Sequence, residues 1–156
     1  MIEISIPGHR DLQLEHLVLD YNGTLACDGE ILEGVRRSLD ALSQDLEIHV
    51  VTADTFGKAK AQLEGFPCRL VVLPVQDQDE AKGAYVERLG ADRTACVGNG
   101  RNDRRMLKES ALGIVVVLGE GAAVESLLAA DVVATDIVAA LDLLRNPLRL
   151  VATLRS

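Results

Sequence analysis

Four groups of polar residues in this sequence stand at the ends of apolar segments or just beyond them. In chain order they are Asp20-Tyr21-Asn22-Gly23-Thr24-Leu25, Thr52-Ala53-Asp54, Lys82, and Gly98-Asn99-Gly100-Arg101-Asn102-Asp103. Asp20 lies on a glycine-containing turn, and a carboxylate in that setting is a competent nucleophile toward a phosphorus centre. We therefore start from the hypothesis that these residues handle a phosphoryl group through an acyl-phosphate on Asp20.

The attack of a carboxylate on a phosphoryl group brings negative charges together, so the site requires cations. Lys82 supplies one positive charge, and a hard metal ion held by carboxylate and amide oxygens supplies more. The hydroxyl of Thr52 and the backbone amides of the turn after Asp20 can donate hydrogen bonds to the phosphoryl oxygens. Gly98 and Gly100 are expected to let the backbone pass close to the metal.

Apolar runs and helical periods alternate along the chain, and this alternation indicates how the four groups are positioned. Strands are predicted at residues 17–19, 48–51, 70–73, 94–97, 114–118 and 131–133, and helices at 35–42, 56–63, 81–89, 102–109, 122–128 and 137–144. Mostly apolar strands separated by helices indicate a parallel sheet that is covered on both faces. The prediction is a doubly wound, Rossmann-like α/β fold in which ligands bind beyond the carboxyl ends of the strands.

The amino-terminal segment differs from the rest of the chain in its pattern. Residues 2–6, together with Leu12 and Leu14, alternate in polarity and predict an antiparallel hairpin at the sheet edge. No linker, repeat or low-complexity stretch interrupts the sequence. We therefore expect one domain over residues 1–156, which is long enough to bury its own core.

Composition excludes several classes of partner. The net charge of -8 argues against nucleic acid and anionic membranes, since both repel an acidic surface. The apolar runs are too short to cross a bilayer and the amino-terminal residues do not resemble a signal peptide, so a cytoplasmic protein is expected. The 3 cysteines have no short C-x-x-C spacing and suggest neither a disulfide framework nor a zinc site. His9, His16 and His49 belong to none of the four groups and are expected at the surface or an edge, not as ligands.

Taken together, the four groups resemble the motifs of the haloacid dehalogenase superfamily: an Asp-x-Asp-Gly-Thr loop, a Thr or Ser, a Lys and an acidic loop. They are most similar to the phosphorylation domain of P-type cation ATPases, with Asp-Lys-Thr-Gly-Thr-Leu, Thr-Gly-Asp, Lys and Gly-Asp-Gly-x-Asn-Asp. The similarity continues through residues 111–114 and 129–133 and covers nearly the whole chain from Leu17 onward. It implies a three-layer α/β/α core with a mainly parallel sheet.

The resemblance implies a role for each residue that matches a family motif. Catalytic roles fall on Asp20, Asn22, Thr52 and Lys82. Substrate contacts fall on Gly23, Thr24, Thr52, Ala53 and Lys82. A magnesium ion is expected on Asp20, Asn22, Asn99 and Asp103, with Asn102 behind these ligands. For Asp54, a role in the site and the capping of the next helix are equally open.

Two positions depart from the phosphatase motifs, because Asn22 and Asn99 stand where those motifs have aspartate. The family residue at position 22 is the general acid/base and also binds magnesium through its carbonyl. Asparagine keeps that carbonyl but transfers no proton, a loss of about 10²–10⁴-fold in rate for typical enzymes. P-type ATPases have threonine there. Asn99 stands at an expected metal ligand, and its amide oxygen lacks the charge that attracts the ion, so weakened metal binding is expected.

No insertion large enough for a cap separates Asp20 from Thr52 or Thr52 from Lys82. The prediction is a bare core with an open site. Capless members of the family often oligomerise or act on substrates that bring their own lid. We therefore expect a homo-oligomer that acts on a phosphorylated small molecule or a phosphorylated partner, with the apolar residues 148–154 as a candidate contact between copies.

These observations leave two main hypotheses for function. The first is a magnesium-dependent phosphohydrolase that forms an aspartyl-phosphate at Asp20 and hydrolyses it slowly. The second is a phosphate- or metal-binding module with a regulatory or interaction role, in which Asn22 and Asn99 reflect a loss of catalytic activity. A receiver-like signalling domain is a weak third, because only the scattered Glu3, Asp11 and Glu15 precede Asp20. A cation pump is not expected, since the chain has no membrane segment.

Overall fold

Segments rich in Val, Ile and Leu form the strands of the computed structural model, which describes residues 1–156. In chain order the strands are β1 (Ile2–Ser5), β2 (Asp11–Leu14), β3 (His16–Asp20), β4 (Ala26–Cys27), β5 (Glu30–Ile31), β6 (Glu47–Thr52), β7 (Arg69–Val72), β8 (Thr94–Gly98), β9 (Leu112–Val116) and β10 (Val132–Ala134). The helices are α1 (Val35–Leu42), α2 (Lys58–Gln62), α3 (Gln78–Leu89), α4 (Arg104–Glu109), α5 (Val124–Ala129), α6 (Ile137–Arg145) and α7 (Pro147–Leu154).

The main sheet has 6 strands, all parallel, in the order β10-β9-β8-β3-β6-β7. The chain first adds β6 and β7 on one side of β3, and then crosses over to add β8, β9 and β10 on the other. Strand order therefore reverses at β3, and a crevice opens there at the carboxyl ends of the strands. The predicted parallel, doubly wound α/β architecture is confirmed.

Strand β3 shows why the central strands are apolar at nearly every position. Leu17 and Leu19 point into the larger core, which α1 and α6 cover, whereas Val18 points into the smaller core beneath α3 and α4. Successive side chains of a strand alternate between faces, so a strand with a helix layer on each side is apolar throughout. The outcome is the predicted three-layer α/β/α arrangement.

The helix predicted at residues 56–63 is shorter in the structure and begins at Lys58. Phe56 is 94% exposed and lies in the loop before it. The carboxylate of Asp54 accepts hydrogen bonds from the backbone N–H groups of Ala59 (2.8 Å) and Lys60 (3.1 Å). Asp54 thus satisfies amide donors of the first turn of α2, which is the capping role that the sequence left open.

Two elements were not predicted from the sequence. One is the short hairpin of β4 and β5, whose 2-residue strands are too brief for any periodicity to register. The other is α7, which begins at Pro147, where a missing N–H removes no helical hydrogen bond. Leu150 of α7 is buried in the core of its own chain, whereas Leu148 is 82% exposed. None of the helices combines the length and apolar character needed to span a bilayer.

The predicted amino-terminal hairpin is present, with Ile2 paired to Leu14 and Ser5 to Asp11. It forms a two-stranded sheet of its own and makes no ladder with the six-stranded sheet. Ile4, Leu12 and Leu14 are buried and belong to the larger core. The alternation in polarity therefore arises because only one face of the hairpin packs against the domain.

His49 was expected at the surface or an edge, and that expectation is wrong. His49 is only 1% exposed, and its ring lies between the rings of His16 and Tyr85. Burial, and then the neighbouring charges of His16 and Arg69, lower the pKa of His49. The side chain shares a face of β6 with Val51, because residues two apart on a strand point the same way.

Replacing Leu150 by alanine tests the packing of α7 against its own chain. A buried leucine leaves a cavity when truncated, so we expect Leu150→Ala to lower the free energy of unfolding by about 2–5 kcal/mol. Leu148→Ala is the matched control on the same helix and should change it by no more than about 0.5 kcal/mol. Urea denaturation followed by circular dichroism measures both. Equal effects would contradict the packing described for α7.

Candidate active site

The polar groups singled out in the sequence meet at the carboxyl edge of the sheet. Asp20 is the last residue of β3 and Thr52 the last residue of β6, while Asn99 follows β8 directly. Because β3 lies between β6 and β8, these three residues stand side by side at the topological switch point. Lys82 reaches the same place from the amino-terminal half of α3.

Lys82 joins two carboxylates at the centre of this site. Its Nζ donates to Oδ1 of Asp20 at 2.8 Å and to Oδ1 of Asp103 at 2.7 Å. All three side chains are buried, with side-chain exposures of 1% for Lys82, 9% for Asp20 and 0% for Asp103. An ammonium group has three N–H donors, so one remains for another acceptor. With both carboxylates ionised, the group carries a net charge of minus one in a buried place.

The pKa values of this group reflect burial and mutual charge. Burial and then the charge of Asp103 raise the pKa of Asp20 to about 7, although Lys82 acts in the opposite direction. Burial acts to lower the pKa of Lys82, but the charges of Asp20 and Asp103 together raise it above its ordinary value. Lys82 is therefore an ammonium at neutral pH, and the Asp20 carboxylate needs more positive charge than Lys82 alone provides.

Asp103 is held by the loop that follows β8. Its Oδ2 accepts from the backbone N–H groups of Asn99 and Gly100, both at 2.9 Å, while Oδ1 faces Lys82. A side chain at Gly98 would collide with the Asp103 carboxyl, so glycine is required there for the carboxylate to fit. The expected role of Gly98 was to let the backbone approach a metal, and the structure instead shows room made for Asp103.

The turn after Asp20 uses some of its amides to hold its own shape. Gly23 adopts φ +79° and donates its N–H to the carbonyl of Ala26, and Thr24 donates its N–H to the carbonyl of Tyr21. The backbone N–H groups of Asn22 and, across the crevice, Ala53 make no backbone hydrogen bond. Of the predicted substrate contacts, Ala53 therefore has a free amide, whereas the amides of Gly23 and Thr24 are already bound within the turn. The amide of Asn22, which was not predicted as a substrate contact, is also free to donate.

Thr24 ties this turn to the loop after β8. Its hydroxyl lies 3.3 Å from Oδ2 of Asp20 and 3.1 Å from Oδ1 of Asn99. The Asn99 amide is fixed at its other end too, because Nδ2 donates to the carbonyl of Gly121 at 3.0 Å. Sequence reasoning did not single out Gly121, because no motif marks a backbone carbonyl that comes from a distant loop.

The remaining predicted residues occupy different places around the crevice. Thr52 is buried, and its Oγ1 accepts from the N–H of Asp54 at 3.3 Å, which leaves its own hydroxyl hydrogen for an acceptor in the crevice. Asn22 is exposed and its side chain makes no hydrogen bond within the protein. Asn102 donates to Oε1 of Gln78 at 3.1 Å and so links the loop after β8 to the start of α3.

Two depressions meet at Ala53 and open directly to solvent, since nothing covers the site. The wider has a volume of about 650 Å³, and its lining includes Gln78, Arg101, Asn102 and Arg104. The narrower is lined by Tyr21, Asn22, Gly29, Asp54, Thr55, Phe56, Lys58 and Ala59. The arrangement offers a buried carboxylate, an ammonium and free hydroxyl and amide donors to an anionic group that enters from outside.

Comparison with known proteins finds similar sequences but no matching family model. MJ0073 of Methanocaldococcus jannaschii, an uncharacterized protein, is 51% identical over 59 residues, which are 38% of this chain and 63% of MJ0073. The chain therefore spans less than two thirds of that relative. MJ0072 of the same organism, also uncharacterized, is 49% identical over 39 residues, which are 25% of this chain and 89% of MJ0072.

Several solved structures are similar over most of the chain. A putative HAD family hydrolase from Streptomyces avermitilis has a TM-score of 0.64 and 19% identity, over 84% of this chain and 80% of its own. The 3-deoxy-D-manno-octulosonate 8-phosphate phosphatase from Moraxella catarrhalis, in complex with magnesium, phosphate and KDO, has a TM-score of 0.70 and 16% identity. That similarity covers 90% of this chain and 92% of the phosphatase. The catalytic domain of the CPx-ATPase CopB-B has a TM-score of 0.61 and 22% identity, over 74% of this chain and 46% of its own. At these identities the similarity establishes a shared fold.

Charge removal at the centre of the site tests how the three buried side chains depend on one another. In Lys82→Met, two carboxylates remain buried without their cation, so we expect a loss of about 3–5 kcal/mol in the free energy of unfolding. Lys58→Met removes one partner of an exposed ion pair with Glu30 and should cost less than about 1 kcal/mol. Chemical denaturation of the metal-free protein compares the two variants, and equal losses would contradict the argument.

Asp20→Asn, unlike Lys82→Met, should raise the free energy of unfolding of the metal-free protein, because it leaves Lys82 and Asp103 as a neutral pair. The pKa of Asp20 is raised from 3.8 to about 7 by folding, so its contribution to stability is lost as pH rises from about 4 to about 7. We therefore expect Asn to raise the melting temperature more at pH 8 than at pH 5. Thermal denaturation at both pH values checks this, and a gain that is larger at pH 5 would disprove it.

Proposed function

Since this chain belongs to the same family as MJ0072 and has the haloacid dehalogenase-like fold, we propose that it is a magnesium-dependent phosphohydrolase that works through an aspartyl-phosphate at Asp20. The observation that carries the proposal is the buried Asp20 carboxylate at the switch point of the sheet, with the Lys82 ammonium 2.8 Å away. A carboxylate kept out of water beside a fixed cation is a nucleophile prepared for an anionic phosphoryl group.

In the first step, an oxygen of Asp20 forms a bond to phosphorus and the bond between phosphorus and the ester oxygen breaks. Oδ2 is the oxygen suited to attack, because it has one long contact, 3.3 Å from the Thr24 hydroxyl, while Oδ1 is held by Lys82. The leaving oxygen takes a proton from water, since Asn22 has none to give. In the second step, water attacks phosphorus and releases phosphate and the Asp20 carboxylate.

The phosphoryl oxygens find donors on both sides of Asp20. The third N–H of Lys82, the hydroxyl of Thr52 and the backbone amides of Asn22 and Ala53 are donors near Asp20 that have no acceptor within the protein. None of these donors has to give up a hydrogen bond within the protein before it binds a phosphoryl oxygen. Preorganised donors of this kind stabilise the charge that gathers on the phosphoryl oxygens in the transition state.

The donor set also suits a magnesium ion. The candidate ligands are all oxygens, namely those of Asp20, the carbonyl of Asn22 and Oδ1 of Asn99, and magnesium prefers oxygen ligands. The net negative charge of the buried group favours a cation, and the raised pKa of Asp20 indicates the same deficit. When bound, magnesium supplies positive charge that neutralises the phosphoryl group. Asp103 was expected from the sequence as a fourth ligand, but both of its oxygens already accept hydrogen bonds, so we assign it the role of holding Lys82 and the loop.

The open site favours a small phosphorylated molecule or a phosphorylated partner as substrate, since no cap encloses it. The Moraxella phosphatase, whose fold this chain shares, is in complex with magnesium and phosphate. The similarity supports phosphoester hydrolysis as the reaction class. In this proposal, the residues around Ala53, where the two depressions meet, determine which substrate binds.

One observation favours the second candidate, a binding module with little turnover. Asn99 is bound at both ends of its amide, to Thr24 and to the carbonyl of Gly121, and this arrangement needs asparagine. An aspartate there would turn a carboxylate oxygen toward the Gly121 carbonyl. The loop is thus adapted to a neutral residue at position 99, which fits a site that binds phosphate and releases it slowly.

Hydrolysis of p-nitrophenyl phosphate tests the proposed nucleophile and the metal together. We expect slow, magnesium-dependent release of phosphate that is lost in Asp20→Asn and on removal of magnesium by a chelator. Arg93→Met, which removes an exposed ion pair with Glu15 at the opposite edge of the sheet, is the control that leaves the crevice and its Asp20 intact. Activity that persists in Asp20→Asn, or without magnesium, would overturn the mechanism.

Restoring the two carboxylates separates a weakened enzyme from a binding module. Asn22→Asp should speed phosphoenzyme breakdown by general base catalysis, up to about 10²-fold, with little change in stability because Asn22 is exposed and unpartnered. Asn99→Asp should tighten magnesium binding by adding a charge, while lowering the stability of the metal-free protein, where its carboxylate meets the carbonyl of Gly121.

Single-turnover phosphate release and magnesium calorimetry measure these two effects separately. The double variant should be the most active, because the two substitutions act on different steps. If neither substitution changes turnover or magnesium affinity, the binding module replaces the phosphohydrolase as the function of this site.

A further inference from the structure

A second cluster of ligand-type side chains lies at the opposite edge of the same sheet. His16 is the first residue of β3 and pairs with Glu47, the first residue of β6, and His49 follows Glu47 two residues later. Residues two apart on a strand share a face, so all three side chains lie on the face covered by α3. Asp20 ends the strand that His16 begins, and four residues of a strand place it about 13 Å away.

The three ligand atoms are close enough to share one ion. Nδ1 of His16 lies 3.3 Å from Nε2 of His49 and 3.5 Å from Oε2 of Glu47, and Nε2 of His49 lies 3.9 Å from the same oxygen. Tetrahedral zinc with bonds near 2.0–2.1 Å requires its ligands to be about 3.4 Å apart. Two of the three separations fit, and a small movement of Glu47, whose side chain is 71% exposed, corrects the third.

Tyr85 of α3 holds the buried imidazole in the orientation that a metal needs. Its hydroxyl lies 2.8 Å from Nδ1 of His49. When Nδ1 carries the ring proton and donates it to Tyr85, Nε2 presents its lone pair to His16 and Glu47. Histidine ligands of metals usually donate their other N–H to such a partner, which fixes the tautomer.

We propose that His16, Glu47 and His49 form a binding site for a zinc-like divalent transition metal, separate from the magnesium site. Two imidazoles and one carboxylate are ligands that zinc accepts readily and that magnesium does not favour. Because the Glu47 side chain is 71% exposed, water has access to the cluster and can supply a fourth ligand. Nothing in the proposed phosphohydrolase reaction uses these residues, so the two proposals stand or fall independently.

Neighbouring charges set the expected strength of the site. Arg69 of β7 pairs in register with His49, and the guanidinium of Arg88 lies 5.5 Å from the centre of the Tyr85 ring. Both are cationic and oppose a metal ion, while Glu47 is the one anionic ligand. We therefore expect weaker binding than at a zinc site with four protein ligands, and tighter binding in Arg69→Gln.

The test is calorimetric titration of the full-length chain with zinc chloride in excess magnesium. One zinc should bind to the wild type and to Asp20→Asn. Glu47→Gln, which changes an exposed side chain without endangering the fold, and His16→Asn should weaken binding by at least about 100-fold. Even the loss of a residue that only hydrogen-bonds to a metal ligand typically costs about 10–100-fold. Tyr85→Phe should weaken it by about 10-fold. His9→Asn, at an exposed histidine outside the cluster, should have no effect.

Cobalt(II) gives a second readout, since its visible spectrum reports tetrahedral coordination by nitrogen and oxygen. The spectrum should appear in the wild type and His9→Asn and be absent in Glu47→Gln. Absence of any zinc binding in the wild type, or binding that His16→Asn and Glu47→Gln leave unchanged, overturns the proposal. Zinc binding that is lost in Asp20→Asn alone would assign the metal to the carboxylate site and overturn it equally.

Discussion

The hydrogen bonds from Lys82 to Asp20 and Asp103 are the interaction on which the rest of the site depends. They join the end of β3, the start of α3 and the loop after β8, three parts of the chain far apart in sequence. Burying these charges is unfavourable unless each has its partners, so the surrounding structure must hold them closely. Glycine at position 98 and the amides of residues 99 and 100 meet that requirement for Asp103.

The same buried group explains why the neutral residues at positions 22 and 99 matter. Two carboxylates and one ammonium leave an excess of negative charge, which favours a cation without any further acidic residue. An aspartate at position 99 would add to that excess and would face the carbonyl of Gly121. Asn99 therefore makes the metal-free site easier to fold and the proposed magnesium site weaker. The exposed Asn22 has no such structural role, and its effect falls on proton transfer alone.

The two edges of the sheet contrast in chemistry. At the carboxyl edge, hard oxygen donors and one ammonium surround an open crevice. At the amino edge of β3 and β6, two imidazoles and one carboxylate converge beneath Tyr85. Strands β3 and β6 contribute to both, because parallel strands in register align equivalent ends. A single pair of central strands thus brings together one constellation that motifs reveal and another that they do not.

Several features of the protein follow from the sequence by itself. The alternation of apolar runs and helical periods predicted the parallel sheet and its helices, because burial on both faces requires apolar residues at every position of β3 and its neighbours. The four polar groups predicted the carboxyl-edge site, since residues that end parallel strands meet at one edge. Their individual roles in chemistry stay predictions.

Only the tertiary structure decided how those side chains share their hydrogen bonds. Strand register and helix packing, which no local pattern encodes, bury His49 beneath Tyr85 and bring His16 and Glu47 to it. Contacts between distant segments likewise bring Lys82 to Asp20 and Asp103 and fix Asn99 to Gly121. A sequence pattern reports the environment that a residue prefers, whereas its partner depends on which distant segment the fold places within hydrogen-bonding distance.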